Sequence, residues 1–382
     1  MSSNQICSRC IYDSSVDGIS FDATGICSYC RRADLLGQEF GTGTQLGVDL
    51  FSKIVREMKN VNQRSKYDCV VGVSGGTDSS YLLHLMVREY GLRVLAVHYD
   101  NTWNSAIATT NIARMIQPLS IDLYTHVVNN HEADDIIRSF FLAGVAEIDA
   151  ASDLGYAYLL RQVARKFRVR HIIEGHSYTA EGITPLSNNY VDGRYIASIH
   201  REFGSRPIET YPLMTLTRFI KSAAFSKVRF VRPLWYLDYS KEAARRVLQA
   251  EYDWQYYSGH HLENRIAAFS HLVYYPEKFG VDLRVNSLAA EVRHGLRTRT
   301  QAMRELSAPV TPEPGLVDYF RRRLGISVIE YQEIMSQTPK YSSDFETYKR
   351  AFEILEPLFR LLVKYERVPK SFYMKYCFPR QT

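Results

Sequence analysis

Apolar positions recur along this chain with two different periods. In residues 49–60, Leu50, Phe51, Ile54, Val55 and Met58 repeat at helical spacing, which predicts an amphipathic helix. Residues 67–73 (YDCVVGV) form a short apolar run that reads as a buried strand, followed by a helix over 79–90, a strand over 93–98 (RVLAVH) and a helix over 105–116. A strand over 122–128, a helix over 153–167 and a strand over 170–174 (RHIIE) continue the rhythm. Short apolar strands alternating with longer helices predict parallel βαβ units, hence an α/β fold with a doubly wound parallel sheet. Such sheets hold ligands at the carboxyl ends of their strands, near the point where strand order reverses. From about residue 240 the pattern turns helical, with helices expected over 240–251, 286–294, 315–324 and 344–364; the last carries a stripe of Phe352, Leu355, Leu358, Phe359 and Leu362. The segment 307–315 (SAPVTPEPG) marks a break between helical pieces.

A length of 382 residues allows one large core with appendages, and the balance of apolar and charged residues excludes a disordered chain. The net charge of +6 favours an anionic partner without separating nucleotides or acidic sugars from nucleic acid. Arg161, Arg165, Lys166, Arg168 and Arg170 are expected along a solvated helix face, and no added nucleic-acid module is evident. The first residues lack the basic and apolar regions of a secretion signal, and no apolar run is long enough to span a bilayer, so a cytoplasmic location without membrane attachment is expected.

Chemistry concentrates in two places. The first is Ser74-Gly75-Gly76-Thr77-Asp78-Ser79-Ser80, directly after the 67–73 strand. Adjacent glycines let the backbone turn tightly and approach a ligand, and the following helix start exposes unpaired N–H groups, which together make an anion cradle. No Lys follows Gly76, so this is not the loop of a γ-phosphoryl transferase, and the glycine spacing does not suit a dinucleotide. The seven residues resemble the SGGxDS signature of the ATP-pyrophosphatase, or PP-loop, superfamily. That resemblance implies that the turn holds the pyrophosphate of ATP while a substrate oxygen attacks the α-phosphate. His98 and Asp100, in the segment His98-Tyr99-Asp100-Asn101, and the later Arg232-Pro233-Leu234 also resemble superfamily landmarks, the first near adenosine. ATP contacts are thus expected from residues 74–80, His98, Asp100 and Gly175, with Mg²⁺ beside Asp78.

The second is a pair of CxxC motifs, Cys7 with Cys10 and Cys27 with Cys30, separated by sixteen residues. This matches a tetrathiolate zinc site with no open coordination position, hence a structural one; an iron–sulfur cluster and free thiols are the alternatives. Cys69 reads as core, and Cys377 lacks any supporting motif.

The cysteine module followed by the PP-loop resembles the N-acetyl sugar amidotransferase family, in which an acetamido group on a bacterial surface sugar becomes an acetamidino group. The resemblance runs from Cys7 to about Leu306, through Gly18-Ile19-Ser20-Phe21-Asp22, residues 97–104 (VHYDNTWN), Glu181-Gly182-Ile183, Asp253-Trp254 and Pro276-Glu277-Lys278-Phe279-Gly280. Ser258-Gly259-His260-His261-Leu262-Glu263-Asn264-Arg265 resembles a family GGKHxES segment but departs from it at Ser258, His260 and Asn264. Replacing a lysine by His260 exchanges a permanent cation for an imidazole, which bears on the acceptor.

The resemblance implies Asp78, Glu181, His261 and Glu263 as catalytic residues and Trp103, Asn104, Lys241, His260 and Arg265 as substrate contacts, Lys241 through a phosphate. Several have a plainer reading: Trp103 and Trp254 as core anchors, His261 and Glu263 as a surface pair or buried mutual partners, Glu181 as a solvated loop carboxylate, Lys241 as an ordinary helix residue. The expected organisation is a cysteine module over 1–33, a helical linker over 34–66, a PP-loop domain over 67–239 and a helical substrate or partner region over 240–382. The implied partners are an N-acetylated sugar and separate glutaminase and ammonia-channel subunits, since no glutaminase cysteine is recognisable; a homo-oligomer is compatible with the sequence. A sulfur transferase acting on tRNA or a small molecule, and a non-catalytic nucleotide-binding scaffold, are the rival readings.

Overall fold

Alternate residues of the central strands pack on opposite faces of one sheet. The computed structural model describes residues 5–183, 190–225, 227–257 and 263–378. Helices α1 (Ser28–Phe40) and α2 (Gln45–Val61) precede β1 (Cys69–Gly72), α3 (Thr77–His84), β2 (Val94–Asp100), α4 (Ala106–Leu119) and β3 (Asp122–Val127). There follow α5 (Asn130–Ala143), α6 (Ala150–Lys166), β4 (His171–Ile173), α7 (Gly193–Phe203), α8 (Leu216–Phe225) and β5 (Arg229–Val231). The strands are all parallel, in the order β3-β2-β1-β4-β5. Cys69, Val71, Ala96 and Ile173 join one apolar cluster with α2, α3 and α4, while Val70, Leu95, Val97 and Ile172 join another against α6. This two-sided burial is what a continuous apolar strand in a parallel sheet requires. The chain winds from β1 through β2 to β3, then returns to place β4 on the other side of β1, so the crevice opens between β1 and β4.

The remainder is helical: α9 (Lys241–Tyr252), α10 (Arg265–Phe269) running into a wide turn over Ser270–Phe279, α11 (Arg284–Arg293), α12 (Arg299–Ser307), α13 (Leu316–Arg323), α14 (Val328–Ser336), α15 (Lys349–Ile354), α16 (Glu356–Lys364) and α17 (Lys370–Tyr376). Phe141, Phe269, Phe320, Phe352 and Phe359 fill one aromatic core shared with α5 and α7. No helix among the described residues is long and apolar enough to cross a membrane.

Several expectations need correction. The apolar pattern predicts no helix over Asn130–Ala143, because its polar opening hides the apolar Ile136, Ile137, Phe140 and Phe141; the Asn129 cap, whose side chain accepts from the His131 and Glu132 N–H groups, is the signal that marks its start. The single helix expected over 344–364 is two helices. Pro357 lacks an N–H and disfavours helical geometry before it, so the chain breaks at Leu355. The helix after the Gly75-Gly76 turn starts two residues earlier than expected and widens into a π-type turn over Leu85–Glu89. Arg161 is not solvated: it is buried, with its guanidinium 4.5 Å above the Phe230 ring.

Candidate functional site

Gly75 and Gly76 connect β1 to α3 at the mouth of the crevice. Gly75 adopts φ +80°, and a Cβ there would lie 2.3 Å from the Ala108 carbonyl oxygen of α4. Its own carbonyl accepts from Trp254 Nε1 at 3.2 Å and Asn111 Nδ2 at 3.3 Å. The turn is therefore fixed by packing on both sides. Gly76 occupies the N-cap of α3, so no capping side chain screens the N–H groups of Asp78 and Ser79. Ser74 Oγ and Ser79 Oγ approach to 3.3 Å across the turn, and Gly175, just after β4, faces Ser79 N with ordinary packing space. Residues 74–80, Gly175, and the β2-terminal His98 and Asp100 thus collect at the carboxyl ends of three adjacent strands.

Behind the turn lies a charged cluster. Lys241 Nζ lies 3.1 Å from Asp78 Oδ2 and 3.3 Å from Glu181 Oε1, and Tyr239 donates its hydroxyl to Asp78. Burial pushes the Asp78 carboxyl up to about 6, opposed by the Lys241 ammonium and reinforced by Glu181. Burial works against the charge of Lys241, but the two carboxylates outweigh it and hold the ammonium protonated. His176 Nδ1 accepts from Trp235 Nε1 at 3.2 Å, which leaves the proton on Nε2, 3.9 Å from Glu181 Oε2. Burial and then the Arg232 guanidinium push this imidazole down to about 3, so it is neutral at pH 7.

On the other side of the turn, Glu263 brings Oε1 to 3.4 Å from Ser74 Oγ and to 2.9 Å from where a Gly76 Cβ would stand. The Tyr257 hydroxyl lies 3.1 Å from the same point. An amide network orders the wall beyond: Asn264 Nδ2 donates to Asn101 Oδ1 at 2.9 Å and Asn104 Oδ1 at 3.2 Å, and Asn104 Nδ2 donates to Asp100 Oδ1 at 3.0 Å. His98 donates Nδ1–H to the Val73 carbonyl at 3.0 Å. Arg265 stands over the Tyr319 ring at 4.9 Å, farther out.

Trp103, expected at a sugar, is fully buried. Its Nε1 donates to Asp134 at 2.9 Å and Arg323 covers its face at 4.0 Å, so the ring has no open face for a sugar. Trp254 is likewise buried beneath Gly75. His260 and His261 lie outside the described residues. Lys241, expected to meet substrate, is engaged by Asp78 and Glu181. Sequence reasoning missed Tyr257 and Arg245 beside the turn, because no motif marks them.

The four cysteines converge against α11 and α12, all buried, with their sulfurs within 4.8 Å of one another; Cys7 and Cys30, and Cys10 and Cys27, are each 3.8 Å apart. Backbone N–H groups of Arg9, Cys10 and Cys27 approach Cys7 Sγ at 3.3–3.4 Å. This donor set fits a metal or iron–sulfur site. Arg293 of α11, itself buried, directs Nε to Cys30 Sγ at 3.3 Å and lies over the Tyr12 ring at 5.4 Å. Tyr12 in turn donates to Asn286 Oδ1 at 2.9 Å, and the Asn286 carbonyl packs against Gly182, next to Glu181. The cysteine module therefore braces the loop that carries Glu181. A tetrathiolate site is net negative, and Arg293 supplies a buried counter-charge. Arg293→Met is expected to accelerate metal loss to a chelator by roughly 10-fold, the lower end of an outer-shell deletion; a loss rate equal to wild type, followed with a chromogenic chelator, would contradict this role.

A domain family described as the C-terminal domain of WbpG-like LPS biosynthesis proteins matches residues 263–358. The uncharacterized protein MJ1599 of Methanocaldococcus jannaschii is 22% identical over 285 residues, 72% of this chain and 87% of that protein. Among solved structures, NMN synthetase from Francisella tularensis covers 69% of this chain and 98% of its own at 15% identity and a TM-score of 0.34. The U34-tRNA thiolase NcsA from Methanococcus maripaludis covers 90% and 100% at 12% identity and a TM-score of 0.35. Both are likenesses too distant to bear on chemistry. The C-terminal match, the doubly wound parallel sheet with its glycine turn and the N-terminal four-cysteine cluster agree with the resemblance drawn from the sequence.

Proposed function

We propose that this PP-loop protein, an ATP-using enzyme, is an amidotransferase that adenylates the acetamido oxygen of an N-acetylated, nucleotide-linked or acidic sugar and lets ammonia displace AMP. The product would be an acetamidino sugar for bacterial surface polysaccharide. One observation carries the reading: Glu263, the first residue of the region matched to WbpG-like proteins, reaches the phosphate-binding turn itself. The matched C-terminal region thus touches the turn after β1, as activation and transfer on a single acceptor would require.

The chemistry follows from the leaving group. An amide oxygen is expelled only at high cost, whereas its AMP ester departs readily. The turn and the N–H groups opening α3 hold the β- and γ-phosphates of ATP. The acceptor oxygen forms a bond to the α-phosphorus as the bond to the β-phosphate oxygen breaks, and the electron pair leaves with pyrophosphate. Glu263 stands at the rim of the turn, where it takes the amide proton released on forming the imidate ester. Ammonia then adds to the imidate carbon, and AMP departs with the former amide oxygen. Mg²⁺, when bound, would be held by Asp78 with Glu181 beside it and would spread the phosphate charge.

For the cysteine site we propose zinc with a structural role. A tetrahedral ion with Zn–S bonds of about 2.3 Å sets its sulfurs about 3.8 Å apart, the spacing of the two sulfur pairs, and a multi-iron cluster would push them farther apart. Cys69 is buried in β1 and Cys377 in the helical core, so neither is placed as a glutaminase nucleophile, and ammonia would come from a separate glutaminase through a channel subunit. Free ammonium should therefore support turnover of MgATP with an N-acetylated nucleotide sugar, read as a mass change of the sugar from acetamido to acetamidino. An absolute requirement for a sulfur donor would instead establish thiolation.

A further inference from the structure

Arg245 projects from α9 toward the phosphate-binding turn. Its Nε lies 3.4 Å from Thr77 Oγ1, at the first position of α3, and its guanidinium stacks 3.9 Å from the ring centre of Tyr256, itself 40% exposed. Two hydroxyls flank the same spot. Tyr239 donates to Asp78, Tyr257 stands 3.1 Å from the Cβ position of Gly76, and the charge of Arg245 acts on both.

The neighbouring cations are engaged: Lys241 with Asp78 and Glu181, Arg246 with Glu242, Arg232 with Glu174. Among the described residues no carboxylate lies within ion-pair distance of Arg245. With Asp78 of the first turn held by Lys241, the Arg245 guanidinium and the N–H groups that open α3 converge on a spot that favours a further anion. The anion that the proposed reaction releases here is pyrophosphate, and the planar fork of Arg matches phosphate oxygens bidentately.

We infer that Arg245, steadied on Tyr256, binds the pyrophosphate group of ATP and stabilises it as it leaves. This deepens the amidotransferase reading and rests on it. As the acceptor oxygen bonds to the α-phosphorus, the bridging oxygen keeps the electron pair of the broken bond, and Arg245 neutralises part of the charge that gathers there. Arg245 is thereby a catalytic residue that no sequence motif marks.

The test is titration calorimetry of the full-length, metal-replete protein with magnesium pyrophosphate and separately with AMP, on wild type, Arg245→Met, Arg245→Lys and Tyr256→Ala. A hydrogen-bonded charged contact is expected to contribute roughly 10- to 100-fold in pyrophosphate affinity. Arg245→Met should lose that much while keeping wild-type AMP affinity, Arg245→Lys should recover part of it, and Tyr256→Ala should fall between. A merely structural role would weaken AMP and pyrophosphate alike and lower the melting temperature. If Arg245→Met fails to fold, the lysine and Tyr256 variants still decide. Wild-type pyrophosphate affinity in the Arg245 variants, with wild type still producing AMP, overturns this role and leaves the reaction standing. A wild-type protein without pyrophosphate affinity, or one producing ADP, removes the reaction itself.

Discussion

Gly75→Ala is expected to lower AMP formation by at least about 100-fold, the penalty for displacing catalytic groups by an ångström. The residue adopts φ +80°, where a side chain costs about 1–2 kcal/mol, and its new Cβ would lie 2.3 Å from the Ala108 carbonyl oxygen and 2.9 Å from the Ala108 Cα. These are backbone atoms of a packed helix, so the glycine must move instead of its neighbour. Its carbonyl is also gripped by Trp254 and Asn111, so movement breaks those bonds and shifts the N–H groups that open α3. Gly280→Ala is the matched control. Gly280 also has positive φ, +65°, but nothing lies within 4 Å of its Cβ position, so that variant should lose about 1 kcal/mol of stability and no activity. Chromatographic assay of AMP, with thermal unfolding of both variants, checks the pair; a Gly75→Ala enzyme within about threefold of wild type would show that the turn does not hold ATP.

Lys241→Met is expected to cost about 3–5 kcal/mol of stability, because it leaves the Asp78 and Glu181 carboxylates facing each other without a cation. It should also move the pH dependence. Native Asp78 keeps its proton up to about pH 6 because it is buried, against an ordinary value of 3.8. Between those values the native state binds more protons than the unfolded one, so the contribution of Asp78 favours folding below about 3.8 and is lost as pH rises through about 6. Turnover that uses ionised Asp78 should therefore rise along an acid limb near pH 6 in wild type. Removing the ammonium disfavours the carboxylate further, so Lys241→Met should shift that limb upward. Steady-state kcat/KM for MgATP from pH 5 to 9 reads it directly; an unmoved limb would mean that Asp78 does not set it.

The elements that carry chemistry were the most legible in the sequence. The apolar run ending at Val73 and the seven residues after it specified a strand, a turn and a helix start. The two CxxC pairs specified four sulfurs around one point, and the structure brings them to within 4.8 Å. The sheet class was readable because strands buried on both faces are short and uninterrupted. What escaped were features set by packing between distant segments. Helix α5 hides its apolar half behind a polar first turn, Pro357 splits the helix whose stripe suggested continuity, and β5 is a three-residue strand recognisable only beside β4. Glu263 was legible as a candidate, but its reach to Ser74 depends on a chain separation of 189 residues. Trp103 was misassigned for the converse reason: an indole in a loop after a strand looks like a sugar platform until Asp134 and Arg323 are seen closing over it. Arg245 and Arg293 belong to no motif, and only their neighbours in space distinguish them from the other basic residues of the chain.

The most direct test of the whole account is ³¹P NMR of MgATP turned over with ammonium chloride and a set of nucleotide-linked N-acetyl sugars. Cleavage at the α-phosphorus, as a turn without a following lysine predicts, gives resonances of AMP and pyrophosphate in equal amounts. Resonances of ADP and inorganic phosphate would place the attack at the γ-phosphorus and contradict it.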